Sequence, residues 1–276
     1  MARIVIVEHP WQRQRPLAYL LYDLAALWEQ AGHELLMHRG TEQPLPRADL
    51  AIAHVDLTRL PPAYEALFSG CRRVVNAAVR DISKRRFSSL LLADAESAAA
   101  WGGPVIVKSD ANFGGLAERL AAQAEGLPAP RAGLDEYRVY DRAGDVPPQV
   151  WQRPDWVVER FVPERGADGR YALRIWTFFG DAERCTCYWA DEPIVKGEAM
   201  QQGGPCPVPD ELRALRRTLG FDFGKFDFVV HQGRALLLDA NRTPMAPTAP
   251  AVRAALAASN RRLAAAVDAF VDAPAS

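Results

Sequence analysis

Lysine is nearly missing from this chain. Of 33 basic side chains only Lys84, Lys108, Lys196 and Lys225 are lysines, so arginine carries positive charge by default. A lysine kept against that background points to a place that needs a compact charge on a flexible stem rather than a planar fork. Cysteine is sparse too. Cys71, Cys185, Cys187 and Cys206 contain no C-x-x-C pair, which excludes a zinc ribbon and a disulfide framework and suits a reducing, cytoplasmic setting. Cys185 and Cys187 alternate along an expected strand and read as buried or half-buried thiols. No apolar run approaches the ~20 residues of a membrane span, and the run before Glu8 is too brief for a signal peptide. A net charge of −1 supplies no global field for nucleic acid or an anionic membrane. There is no internal repeat and no low-complexity tract. The turn after the first strand, EHPWQRQRP, has no glycines, and no G-K-[ST] occurs, which speaks against a dinucleotide turn and a P-loop.

What is there is an ordinary globular composition, 49% apolar and 24% charged over 276 residues, enough for two or three packed subdomains. Apolar patterning predicts strands at 3–7, 34–38, 50–54 and 74–76 with a helix over 17–31, an alternation that implies a parallel α/β layer. A helix is expected over 81–93, a strand over 104–108, a helix over 116–125 and strands over 137–141 and 156–162. Hairpins follow at 171–189 around Gly180-Asp181 and at 224–239 around HQGR. A Pro- and Gly-rich connection at 193–209, PIVKGEAMQQGGPCPVP, is a lid candidate. Helices are expected over 209–219 and 251–271.

Three stretches carry chemistry. In GKFDFVVHQGRALLLDANRTP, two strands and a tight turn bring Asp227 and Asp239 together, with Asn241 two residues along. These are hard oxygen donors suited to magnesium, or else strand-end aspartates capping turns. Lys225 shares the Asp227 face by its two-residue spacing. In GPVIVKSDANFGG, a buried strand delivers Lys108 to its end and a glycine loop follows. That loop can cradle phosphate through backbone N–H groups, unless the lysine only snorkels to solvent. In VVERFVPE, a strand runs into a hinge that can offer backbone donors and acceptors to a flat heterocycle, and Glu164 can hold a pair of hydroxyls. His9, Trp11, Arg13 and Arg15 follow the first strand, where open α/β layers present ligand loops. Asp56, in HVDLT, is expected to face the cleft with them, and His231 reads as exposed.

The order of these parts resembles the ATP-grasp superfamily over roughly residues 75–250. A lysine on an early helix is followed by strand-lysine-glycine loop, hinge strand with glutamate, strand arginine and D…D-x-N-x-x-P. The resemblance implies an ATP-grasp fold of α+β subdomains behind an N-terminal parallel α/β layer: residues 1–80, then 81–162 as the central subdomain and 163–276 as the C-terminal one. It implies Lys84 and Lys108 on the phosphates, with Gly114 and Gly115 folding over them. Glu159, Arg160, Phe161 and Val162 would line the adenine, and Glu164 would bind ribose. Arg174 would face the γ-phosphate, and Asp227, Asp239 and Asn241 would hold magnesium, or manganese in its place. Lys196, in the lid candidate, would reach the phosphates on closure. The implied activity is ATP-dependent activation of a small-molecule or peptide carboxylate as an acyl phosphate and its coupling to an amine or other nucleophile, with a homodimer permitted. A kinase on the same fold and a nucleotide-binding regulator are the alternatives. The superfamily usually has glutamate where this chain has Asp239; with the shorter side chain, either the strand sits closer to the metals or only one metal is held well.

Overall fold

The computed structural model describes residues 1–13, 17–128, 130 and 137–272. The chain opens with β1 (Arg3–Glu8), α1 (Leu20–Gln30), β2 (Glu34–Arg39), β3 (Leu50–Ala53), α2 (Pro62–Ser69) and β4 (Val74–Val75). The four strands form a parallel sheet in the order β2-β1-β3-β4. β1 and β3 are central and covered on both faces, which is why they read as continuous apolar runs rather than alternating ones. Leu20, Leu21, Leu24 and Trp28 of α1 pack on Ile4, Ile6 and Ile52 from one side. Tyr64 and Phe68 of α2 pack on Val5, Val7, Ala51 and Ala53 from the other.

Next come α3 (Lys84–Phe87), β5 (Leu91–Leu92), α4 (Ala95–Ala99), β6 (Val105–Ser109), α5 (Leu116–Ala124), β7 (Arg138–Tyr140), α6 (Pro148–Trp151) and β8 (Trp156–Arg160). Their strands form a small sheet in the order β5-β8-β6-β7, with antiparallel pairing throughout. The helix expected over 81–93 is cut to one turn. Ser88 turns extended (φ −74, ψ 125), and Leu91 and Leu92 pair with Glu159 and Val158 instead. Sheet pairing outweighs the local helical preference. β8 likewise ends at Arg160 rather than 162, and Phe161 leaves the strand with its N–H donating to the Pro104 carbonyl at 2.9 Å.

The remainder is β9 (Glu164–Arg165), β10 (Tyr171–Phe179), β11 (Ala182–Ala190), β12 (Gln201–Pro205), α7 (Asp210–Leu219), β13 (Phe223–His231), β14 (Arg234–Asn241), α8 (Pro250–Ala265) and α9 (Val267–Asp272). The largest sheet runs β12-β11-β10-β13-β14, with β9 also on β10. Its second hairpin turns through Gln232 and Gly233 at φ 50° and 77°, the paired left-handed conformation that matches strand twist. One face is aromatic. Trp176, Phe178, Phe226 and Phe228 close against Phe221 and Leu212 of α7. The expected lid is half sheet, because Gln201–Pro205 pairs with β11 as an edge strand; only the residues before it loop free of pairing. The closing helix over 251–271 breaks at Ala266 into α8 and α9. No helix among the described residues is long and apolar enough to cross a membrane.

Candidate active site

The β13–β14 hairpin sets the centre of the site. Asp227 lies directly opposite Asp239 and Lys225 opposite Asn241. Alternation along a strand therefore puts all four side chains on one sheet face. Lys225 Nζ donates to Asp227 Oδ2 at 2.8 Å. Asp227 Oδ1 is buried with no hydrogen-bond partner. Burial, opposed by Lys225 and reinforced by the Asp239 charge, raises the Asp227 carboxyl above its ordinary range. A cation between the two aspartates would remove that cost. Two carboxylates, one of them with an orphaned buried oxygen, and one amide oxygen fit a magnesium ion that completes its shell with phosphate and water.

The small sheet and α3 aim two lysines at this face. Lys84 is the first residue of α3 and is buried; its Nζ donates to Asp239 Oδ1 at 3.3 Å and to the Ala111 carbonyl at 3.4 Å. Asp110 holds the turn in place: its carbonyl takes the Lys84 N–H and its Oδ1 takes the Arg85 N–H at 2.9 Å. Lys108, near the end of β6, is also buried and ion-paired with Glu159 of β8. Its Nζ reaches the Leu238 carbonyl, next to Asp239, at 3.4 Å. Lys196 lies before β12, with Nζ 5.1 Å from the ring of Tyr137. Burial and the negative charges of Asp239, Asp227 and Glu159 push the Tyr137 hydroxyl up. Lys84, Lys108 and Lys225 thus meet at the β13–β14 hairpin, and Lys196 is connected to them through Tyr137. A sequence with 29 arginines has gathered three of its four lysines beside one pair of carboxylates.

Between β6 and α5 the backbone turns left-handed at three successive residues, Phe113, Gly114 and Gly115, with φ of 47°, 64° and 74°. Glycine takes this conformation freely; Phe113 does so at a cost. Arg160 donates to the Ser89 carbonyl at 2.7 Å and lies over Trp101. Phe161 and Val162 are half-buried just past β8.

Arg174 and Glu164 are placed elsewhere. Arg174 stands opposite Phe228, whereas its neighbour Ile175 stands opposite Asp227. The Arg174 side chain therefore leaves from the other sheet face, away from the aspartates. There it donates to both Glu164 oxygens, the closest contact being 2.6 Å, and Glu164 also accepts the Val230 N–H at 2.7 Å.

A second polar cluster lines the C-terminal ends of β1 and β3. Asp56 accepts from Tyr19 Oη at 2.6 Å and from Thr243 Oγ1 at 2.7 Å, and the Thr243 N–H donates to Asn241 Oδ1 at 2.8 Å. Asp56 is thereby joined to the hairpin through one threonine. Behind it Glu8 and His54 are fully buried, and neither ring nitrogen of His54 has a hydrogen-bond partner. Burial works to raise the Glu8 carboxyl, but the nearby His54 imidazole at 3.7 Å, the hydrogen bond from Tyr22 and the Arg39 charge outweigh it and leave the group below its usual range. Of the loop after β1, His9 pairs with Glu125 at 3.2 Å, Trp11 is buried in the core and Arg13 is exposed; Arg15 lies outside the described residues. His231 is exposed at the end of β13.

Sequence reasoning missed Asp110, Tyr137, Thr243 and Arg242. Arg242 is buried and donates to the carbonyls of Val79, Leu57 and Thr58, tying β14 to the N-terminal layer. The one signal for it was its place inside DANRTP.

No known protein family and no curated relative matches the sequence. Solved structures do match in shape. A RimK domain protein ATP-grasp from Sphaerobacter thermophilus DSM 20745 superimposes with a TM-score of 0.56 at 15% identity, covering 98% of this chain and 99% of that one. D-alanine–D-alanine ligase from Bacillus anthracis gives 0.54 at 12%, covering 98% and 97%. A RiPP-associated ATP-grasp ligase from Chryseobacterium gregarium, in complex with ADP and a leader and core peptide, gives 0.56 at 10%, covering 100% and 98%. At these identities the likeness is one of fold.

Proposed function

We propose that this chain, which has the ATP-grasp fold, is an ATP- and magnesium-dependent ligase that activates a carboxylate as an acyl phosphate and couples it to an amine. The observation that carries the reading is the convergence of Lys84, Lys108 and Lys225 on the hairpin of Asp227, Asp239 and Asn241. Transfer of a phosphoryl group asks a protein for positioning and for neutralisation of charge on the phosphoryl oxygens, and little covalent chemistry. Lys84, Lys108 and Lys225 would supply fixed positive charge to the transferred group. Lys196 approaches from the loop before β12. Asp227, Asp239 and Asn241 would hold a magnesium ion, which supplies Lewis-acid charge stabilisation at the β- and γ-phosphates. β6 carries Lys108 toward the left-handed turn at 113–115, whose backbone N–H groups would cradle phosphate. Arg174 and Glu164 support the sheet from behind rather than contact the nucleotide. Asp56 faces the nucleophile side, where its carboxylate can orient an ammonium group or accept its proton.

The matching ligases include one solved with a leader and core peptide, and a peptide is one acceptable form of carboxylate or amine here. The test is hydroxylamine trapping: the full chain is given MgATP and a panel of carboxylic acids and short acidic peptides, and hydroxamate and ADP are measured together. Carboxylate-dependent hydroxamate matched by ADP is expected, with Lys108→Ala lowering turnover by about 100-fold, the usual effect of deleting one electrostatic donor. ADP release driven by hydroxyl compounds without hydroxamate would instead identify a kinase. Tight nucleotide binding without turnover would identify a regulator.

A further inference from the structure

Three of the four cysteines lie on the sheet face opposite the aspartates, and two of them touch. Cys185 is buried in β11, and Cys206 follows β12 half-buried. Their Sγ atoms are 3.3 Å apart. The contact is built by the sheet: Thr186 pairs with Pro205, and the Cys206 N–H donates to the Cys185 carbonyl at 3.1 Å. Residues so paired in antiparallel strands have Cα atoms about 5.5 Å apart, inside the ~4.4–6.8 Å span of disulfides. Forming the bond from 3.3 Å needs a shift of only about 1.3 Å.

We propose that Cys185 and Cys206 are a peroxide-oxidisable dithiol that closes into a disulfide and ties the return strand of the Lys196 loop to β11. The Cys206 thiol is held down to about 7 by the hydrogen bond from Cys185 and by the Arg174 guanidinium, against the effect of burial. Cys185 is raised, chiefly by that same hydrogen bond, and Cys187 and Cys71 are raised by burial. Cys206 is therefore the thiolate that reacts, since thiolate character and access decide which cysteine is oxidised. It attacks one oxygen of a hydroperoxide, breaking the O–O bond; a sulfenic acid forms and the other oxygen leaves as an alcohol or water. Cys185 sulfur then attacks the Cys206 sulfur. The S–S bond forms, the S–O bond breaks, and the oxygen leaves as water with the Cys185 proton. Two thiols are oxidised and one peroxide is reduced.

Nothing in this chemistry depends on the ligase reading, and it is tested without any substrate. The full chain is treated with hydrogen peroxide under native conditions, remaining thiols are alkylated, and the peptides are mapped without reduction. The free-thiol titre is expected to fall by half, with one crosslink joining the peptides of Cys185 and Cys206 in the monomer, reversed by dithiothreitol. Cys206→Ser should leave the titre of its remaining thiols unchanged, while Cys187→Ser should crosslink as the parent does. Persistence of all four thiols, a link through Cys187, or a link only between chains would overturn the proposal. Because mapping the unaltered chain needs no variant, a folding defect in a serine variant does not rescue it.

Discussion

Asn76 joins two layers of the molecule with one amide. Its side-chain oxygen takes the N–H groups of Asp222 and Phe223 at 2.9 and 3.0 Å, its amide donates to the Phe223 carbonyl at 2.9 Å, and its own N–H donates to Asp222 at 2.7 Å. It is fully buried and left-handed at φ 63°, a conformation asparagine tolerates better than most residues. Asn76→Ala removes three buried hydrogen bonds and orphans their partners. A loss on the order of 3 kcal/mol is expected, read as a lower urea midpoint at unchanged slope. At the same scale the lysines were the most legible residues in the sequence. Their scarcity marked them before any geometry was known, and spacing alone placed Lys225 on the face of Asp227 and Lys108 at a strand end. Tyr137 and Asp110 gave no such signal, because each acts on a residue far from it in the chain.

Among the elements, hairpins were read well and short helices poorly. The turn over Gln232-Gly233 is written locally, but its register alone would set Asp227 opposite Leu238; an irregularity in the ladder between Asp227 and Phe228 brings Asp227 opposite Asp239. The stretch 81–93 was misread because its second half is claimed by β8, a strand some 65 residues away in sequence. The connection before β12 was legible as a lid candidate, yet its pairing with β11 was not, since glycine and proline are depleted in strands. On the ligase reading, the unpaired part of that connection shelters the acyl phosphate from water. Replacing residues 193–199 with a Gly-Ser linker should leave thermal stability nearly unchanged while more ATP is consumed per product made. The ADP-to-product ratio measures this, and an unchanged ratio would show that the loop shelters nothing.

At the scale of the whole molecule, the site draws on three sheets. Lys84 and Lys108 come with the small sheet, the aspartates with the large one, and Asp56 with the parallel layer, while Arg242 and Asn76 hold the large sheet to the first. A nucleotide bound among them would cross-link them and stabilise the fold by mass action. MgATP at about 100 times its Kd should add about 2.7 kcal/mol, seen as a rise in Tm. EDTA should abolish most of that rise. Asp227→Asn should blunt it, because the oxygen now left without a partner would no longer carry charge for the ion.

The sequence by itself determined the local facts: which segments alternate or run apolar, where glycine permits a left-handed turn, and that Lys225 and Asp227 share a face through a two-residue period, as Asp239 and Asn241 do. The tertiary structure alone decided parity between strands. Arg174 emerges behind the aspartates because β10 meets β13 with Ile175, not Arg174, opposite Asp227, and the same sheet seats Cys206 on Cys185. A slip of one residue in either pairing would reverse the face of every side chain on that strand. Register is set by packing across the whole sheet, so no local stretch of sequence encodes it.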